Sequence, residues 1–535
     1  MDDLLLYGGP GCGKTTAGLG WLMRQVERGA DLRRVAFVSY TKAAVSEGVE
    51  RVSDRFQIDP DDMPYSRTLH SLALKCLQVG GDWNADRKLR EFADGYGYDL
   101  KASRKNADEE GFDGIREATG RDGGYLKVWD FGRHRMLTEP DEAFSAFIDY
   151  DPDQQAYVRR GEFLRFVKDY EEWKNLTRRM DFTDLLVEYL KDPVSLPVSV
   201  AVIDEAQDLS PLMWRVADAL FADAEKRATL GDDDQAIYSF SGADPRLMND
   251  RPTRRKVKLS QSHRLPEALV REANRIIEQN HDREPKELCP QREGGTVQWA
   301  RDFRELPLDN DETWFLLVRN WKLLSQYTDQ LGFLGLPYRV TGDRQSPWND
   351  NGAYRAAQTL RALGEQRRVT LREVWDLAQH TPSANSKKSG VWVHGSKKQL
   401  EGRAAETPEE VVGWRDLLDL GMTQEAFLRV MQRDLKLLEG RVPTTTLTAY
   451  QAAVERGHWG TDPRITLGSV HSVKGKERDH VAVLSGCSYA TYRATLRRPQ
   501  EERRVAYVAV TRARSGLYVL PPCAAPGVFP WEALA

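Results

Sequence analysis

The apolar positions of this 535-residue chain fall into short continuous runs separated by stretches with helical composition. Leu4-Leu5-Leu6-Tyr7, Arg33 to Tyr40 and Val198 to Ile203 read as unbroken blocks rather than alternating ones. That is the pattern of strands covered on both faces, and it points to a parallel sheet. Helical stretches stand between them at Thr16 to Val26, after Thr41-Lys42-Ala43-Ala44, and from Thr68-Leu69-His70-Ser71 to about Leu77. A second series begins after Leu259. It has strands at Thr296 to Ala300, Trp314 to Val318, Pro337 to Thr341, His480 to Leu484 and Gly516 to Leu520, the core resuming over Arg464 to Glu477, with helices at Pro266 to Gln279 and Glu501 to Ala513. Strands alternating with helices predict an α/β fold, here in two layers.

Each layer is interrupted once. Residues 78–179 are polar, with scattered aromatics (Trp83, Tyr125, Trp129, Phe131, Trp173) and helical stretches at Glu142 to Ile148 and Gly161 to Trp173. Residues 345–463 are helical, basic and broken, with lysine pairs on either side of Val391-Trp392-Val393. The expected organisation is a first core of 1–77 and 180–255 with a helical insertion at 78–179, and a second core of 256–344 and 464–535 with an insertion at 345–463.

Chemistry concentrates at the ends of the strands. Behind the first apolar run stands Gly8-Gly9-Pro10-Gly11-Cys12-Gly13-Lys14-Thr15, a phosphate-binding loop between a strand and a helix. Its glycines let backbone N–H groups approach a triphosphate, Lys14 can reach the β- and γ-phosphates, and Thr15 can offer a hydroxyl to Mg²⁺. Asp204 and Glu205 follow the run Val198 to Ile203, at the strand end where doubly wound sheets carry their sites. Asp204 would hold Mg²⁺ through water and Glu205 would orient the attacking water. A second acidic turn, Gly231-Asp232-Asp233-Asp234-Gln235, places Gln235 where it could sense the γ-phosphate; Tyr238 and Phe240 beyond it could offer faces to bases, though such aromatics taken alone are more often core.

Composition narrows the class. The net charge of −4 gives no general attraction to nucleic acid, so any such site must be a local groove. Basic runs at Arg251 to Lys258, Lys387 to Lys398 and Arg497 to Arg504 are candidates, though such runs are usually solvated faces. The five cysteines (Cys12, Cys76, Cys289, Cys487, Cys523) have no metal-ligand or disulfide spacing, and Cys12 reads as a small space-filling residue of the loop. No apolar stretch approaches the roughly 20 residues needed to cross a bilayer and no signal peptide is evident, so a cytoplasmic protein without membrane partners is expected.

Taken in order from Gly8 to Ala513, these stretches resemble the motif series of superfamily 1 helicases of the UvrD/Rep/PcrA-like group. The segments that carry the resemblance are Gly231 to Tyr238, Val470-His471-Ser472-Val473-Lys474-Gly475-Lys476-Glu477 and Ala506 to Ala513. The resemblance implies two RecA-like motor cores with ATP and Mg²⁺ in the cleft between them and single-stranded DNA across their tops, driving 3′→5′ translocation and opening of single-strand/duplex junctions. It assigns Lys14, Thr15, Asp204, Glu205 and Gln235 to the ATP site of the first core, Arg264 and Arg512 to the γ-phosphate from the second, and Glu477 to a position near the ribose. Thr16 and His263 stand where the group usually has an arginine and a base-stacking tyrosine. For DNA it points to Tyr40, Thr41, Lys42, Thr68, His70, Tyr238, Phe240 and His471, with Phe240 in place of a stacking tryptophan.

Four departures bear on specificity. An upstream segment whose glutamine usually reads adenine is not expected, His263 and Thr16 differ from the usual residues around the base, Ser39 holds the usual phenylalanine position, and Ser241 replaces an arginine. The second insertion is smaller than the group's usual one, and no nuclease-like domain is expected after Ala513. A monomer or weak dimer is expected, with a loading partner left open. Other readings are a translocase that strips proteins from DNA, a motor on RNA, and a nucleotide-gated binding module. A pure switch has no need of both Arg264 and Arg512, and a small-molecule kinase leaves the second α/β layer unexplained.

Overall fold

The computed structural model describes residues 2–102, 118–152, 157–342, 346–349, 351–382, 390–521 and 527–528. Lys387, Lys388 and Cys523 lie outside them. Two parallel sheets organise the chain. The first has the spatial order Val35–Val38, Val200–Ile203, Lys226–Gly231, Asp2–Gly8, Arg255–Leu259. The second runs Thr296–Trp299, Ala513–Leu520, Arg478–Leu484, Trp314–Val318, Ile465–Ser469, Tyr338–Val340. All neighbours in both sheets pair in parallel. The first sheet includes Arg255–Leu259, so residues 256–259, assigned above to the second core, pair with the phosphate-loop strand instead.

The continuous apolar runs are explained by cover on both faces. Alternate residues go to opposite sides of a strand. Leu4, Leu6, Val35, Phe37, Val200 and Val202 enter one core of the first lobe, while Leu5, Tyr7, Ala36, Val38, Ala201 and Ile203 enter the other. The second sheet divides likewise, Leu316 and Leu467 to one side and Phe315 and Leu317 to the other. One of those sides merges with the helices of the second insertion, where Leu360, Leu371 and Trp392 share its core.

The first insertion contains the helices Leu89–Tyr96, Gly123–His134, Pro140–Tyr150 and Arg160–Thr177. Most of its aromatics are core: Phe92 packs edge-on against Phe166 and Tyr170 at ring distances of 5.7 and 5.2 Å. It is fastened to the first lobe by buried charges. Arg133 and Lys174 both pair with Asp181 and Asp184, the capping box that starts helix Phe182–Tyr189.

One predicted element ends early. The helix expected to reach Ala513 spans Pro499–Val510. Thr511 Oγ1 donates to the Val508 carbonyl and closes the helix end, and Ala513 already pairs with Arg478 in the sheet. Among the described residues no helix is long and apolar enough to cross a membrane.

Candidate active site

The phosphate loop joins strand Asp2–Gly8 to helix Lys14–Glu27, and two of its glycines take left-handed backbone, Gly11 at φ 72° and Gly13 at φ 74°. That conformation is open to glycine and costly for other residues. Close approach adds a second reason at Gly11, where a Cβ would lie 2.5 Å from the Arg264 Cβ. The loop therefore rests against the strand Gln261–Pro266, which leads into the second lobe. His263 N–H donates to the Gly11 carbonyl at 3.0 Å, and Ser262 Oγ to that of Pro10 at 2.9 Å. Gly13 caps the helix without a side-chain acceptor, which leaves the first-turn N–H groups to whatever the loop holds.

Lys14 is buried, with Nζ 3.5 Å from the Gly9 carbonyl. Thr15 Oγ1 donates to Asp204 Oδ2 at 2.7 Å, joining the loop to the end of strand Val200–Ile203. Thr16 is exposed and accepts from Arg51 at 2.9 Å. Burial pushes the Cys12 thiol up to about 11, which suits a space-filling residue and not a nucleophile.

The two carboxylates are driven apart. Burial, then the charge of Glu205, pushes Asp204 up to about 6. Burial also raises Glu205, but the ammonium groups of Lys14 and Lys474 outweigh it and hold Glu205 below the usual carboxylate range. Glu205 has φ 53° and ψ 37°, a left-handed conformation that costs a non-glycine residue of order 1 kcal/mol. Its Oε2 accepts from Gln207 Nε2 at 2.5 Å.

The second lobe reaches this centre from two directions. Arg512 is 2% exposed, and its Nη2 donates to Gln235 Oε1 at 3.1 Å and to Thr511 Oγ1 at 3.0 Å. Burial, then the neighbouring Arg264 guanidinium, pulls Arg512 down to about 10. Arg264 pairs with Glu477, which also holds Arg514, so the acid expected near a ribose is engaged by two arginines. His263 is exposed, its ring bonded to the side chain of Gln291 on the neighbouring strand.

Several central residues received no role from the sequence. Lys474 Nζ crosses the boundary to Asp208 Oδ1 and Oδ2 at 2.7 and 2.5 Å and to the Gln235 carbonyl at 2.7 Å. Asp233 and Asp234 are buried against Lys286 and Arg283. One signal did exist: three successive carboxylates cannot be buried without cations.

The residues expected at nucleic acid divide into two sets. Tyr40, Tyr238, Phe240 and His471 converge where the lobes meet. Tyr40 stacks on Tyr238 at 5.8 Å and 17°, and Phe240 meets the His471 ring edge-on at 5.6 Å. Tyr238 is 2% exposed with Lys474 4.8 Å above its ring, so it offers no open face; Phe240, at 43%, does. Thr41 and Thr68 cap helices Lys42–Phe56 and Leu69–Leu77, Lys42 is exposed at the start of the first, and His70 is buried edge-on to Phe182. The basic runs are largely consumed by the protein itself: Arg251 pairs with Asp218, Lys256 and Lys258 with Glu284, Lys397 bonds the Thr381 carbonyl, and Arg503 and Arg504 bond carbonyls of Gln279 and Asp282.

A phosphate loop, a carboxylate pair at the end of another strand of the same sheet and an arginine brought to them by a second α/β lobe define a P-loop protein whose site is completed at a lobe boundary. Family comparison agrees. Residues 1–254 match the UvrD/REP helicase N-terminal domain and residues 442–521 the UvrD-like helicase C-terminal domain. The chain is 23% identical to the ATP-dependent DNA helicase PcrA of Bacillus subtilis over 96% of this chain and 80% of that protein. It is 26% identical to the ATP-dependent DNA helicase UvrD2 of Mycobacterium tuberculosis over 64% of this chain and 52% of that one, and 25% identical to DNA helicase II of Escherichia coli over 65% and 60%. The chain spans about half the length of several curated relatives it matches. It belongs to the UvrD/Rep/PcrA-like group of superfamily 1 helicases.

Proposed function

We propose that this chain is an ATP-dependent DNA helicase or translocase that moves 3′→5′ along single-stranded DNA and opens single-strand/duplex junctions, in the cytoplasm, as a monomer or weak dimer. The observation that carries the reading is Arg512 from the second lobe bonded to Gln235 of the first, beside the Asp204–Glu205 pair. The loop glycines and Lys14 bind the triphosphate. Arg264 and Arg512 neutralise charge that develops on the transferred phosphoryl, a contribution worth roughly 10³–10⁵ in rate where such arginines have been removed from other enzymes. Glu205, held ionised by Lys14 and Lys474, orients and polarises the attacking water.

The donors available to Mg²⁺ are hard oxygens, Thr15 Oγ1 and an Asp204 carboxylate whose charge burial disfavours, and both fit that ion. Bound there, the ion would supply charge neutralisation on the β- and γ-phosphates.

Coupling to DNA follows from shared parts. Lys474 touches Asp208 behind the carboxylate pair and also lies over Tyr238, whose neighbours Phe240 and His471 border the exposed aromatic face. A strand seated on Phe240 and a nucleotide seated on Lys14 would therefore both bias how the lobes meet. Sequence-independent stacking suits a motor that must pass any base.

The test is steady-state ATP hydrolysis with and without single-stranded DNA, then unwinding of 3′- and 5′-tailed duplexes. DNA should stimulate hydrolysis, Glu205→Gln should remove it by about 10²-fold or more, and only 3′-tailed duplexes should open. Glu205→Gln that hydrolyses at the normal rate would sink the assignment.

A further inference from the structure

Between helix Glu267–Ile277 and strand Cys289–Arg292 the second lobe extends a segment that docks on the acidic turn of the first. Lys286, with 5% of its side chain exposed, places Nζ 3.0, 2.5 and 2.7 Å from carboxylate oxygens of Asp232, Asp233 and Asp234. Arg283 adds a two-pronged pair to Asp234 at 2.8 and 2.6 Å.

What that turn holds is the point of interest. Asp232 Oδ2 accepts from Gln235 Nε2 at 2.7 Å, which leaves the Gln235 oxygen facing Arg512. The Asp232 backbone N–H donates to Gln207 Oε1 at 2.9 Å, which leaves the Gln207 nitrogen to donate to Glu205 at 2.5 Å. One turn thus fixes the sense of two amides. One amide receives the arginine and the other holds the Glu205 carboxylate.

We propose that Lys286 is a positioning residue for hydrolysis. By bridging the three carboxylates of the acidic turn from the second lobe, it locks Gln207 and Gln235 in the sense the reaction needs, and it makes that sense depend on the lobes being seated. This rests on the reading of the site as an ATPase. Displacement of a catalytic group by about 1 Å can cost 10²-fold. Loss of Lys286 should therefore act on the rate at saturating ATP more than on ATP binding.

The experiment compares kcat and KM for ATP, at saturating single-stranded DNA, in the intact chain, Lys286→Met, Lys286→Arg and the charge-balanced pair Lys286→Met with Asp233→Asn. Asp233 bonds neither amide, so the pair reduces the buried charge imbalance while leaving the turn without its lysine. Binding of a fluorescent ADP analogue checks that each variant is folded. Expected is a kcat lowered about 30- to 100-fold in Lys286→Met and in the pair, with KM changed less than about threefold, and most of the rate recovered in Lys286→Arg. A wild-type kcat in the pair, or kcat and ADP binding lost together in the pair, overturns the proposal. No hydrolysis by the intact chain overturns the ATPase reading itself, and the proposal falls with it.

Discussion

Replacing Asp204 by Asn should stabilise the protein while abolishing its activity. Asp204 is buried, and its carboxyl is pushed up to about 6 from an ordinary 3.8. That rise corresponds to about 3 kcal/mol disfavouring the charged form in the folded protein at neutral pH. Because the folded pKa lies above the unfolded one, the folded state binds more protons between about pH 4 and 6, and the stability linked to this group falls as pH rises through that window. An asparagine carries no charge at any pH and can keep both contacts, accepting from Glu205 N–H and meeting the Thr15 hydroxyl. Thermal unfolding of the two proteins without nucleotide, at pH 7.5 and pH 4, measures the effect. If the first lobe melts as a unit, the variant should gain roughly 5–10 °C at pH 7.5, and the gain should shrink towards zero at pH 4. Hydrolysis should fall by about 10²-fold or more. A variant that melts at or below the intact chain at pH 7.5 would refute the claim that this charge is held at a cost.

Two further substitutions test the other parts of the site. Phe240→Ala removes the exposed ring beside His471 and should weaken single-stranded DNA binding roughly 5- to 150-fold, the worth of one stacked base, while KM for ATP without DNA is unchanged; fluorescence anisotropy on a labelled oligonucleotide would show otherwise. Lys474→Met strips Asp208 of its buried partner, a loss of about 3–5 kcal/mol to the arrangement in which the lobes meet, so the ratio of DNA-stimulated to basal hydrolysis should drop by about tenfold or more, and an unchanged ratio would remove Lys474 from the coupling.

What the sequence made legible was local. Strand Trp314–Val318 was found at its ends, and helices Lys14–Glu27 and Leu69–Leu77 nearly so, because continuous apolar runs and a phosphate loop are written in neighbouring residues. The carboxylate pair was placed by the same logic, as the residues that follow a buried parallel strand. What could not be read was pairing across the boundary. Lys474 meets Asp208 across 266 positions and Lys286 meets Asp233 across 53, and no periodicity reports such distances. Tyr238 shows the other blind spot. An aromatic one residue from an exposed turn can face solvent or a partner lobe, and here Tyr40, His471 and Lys474 enclose it.

The central claim is that Arg512 completes the nucleotide site only when the second lobe meets the first. Steady-state ATP hydrolysis by the intact chain and by Arg512→Ala, each with and without single-stranded DNA, tests it most directly. Strong stimulation by DNA is expected in the intact chain, with a stimulated rate about 10³-fold lower in the variant and nucleotide binding retained. A variant that is stimulated to the intact chain's rate would contradict it.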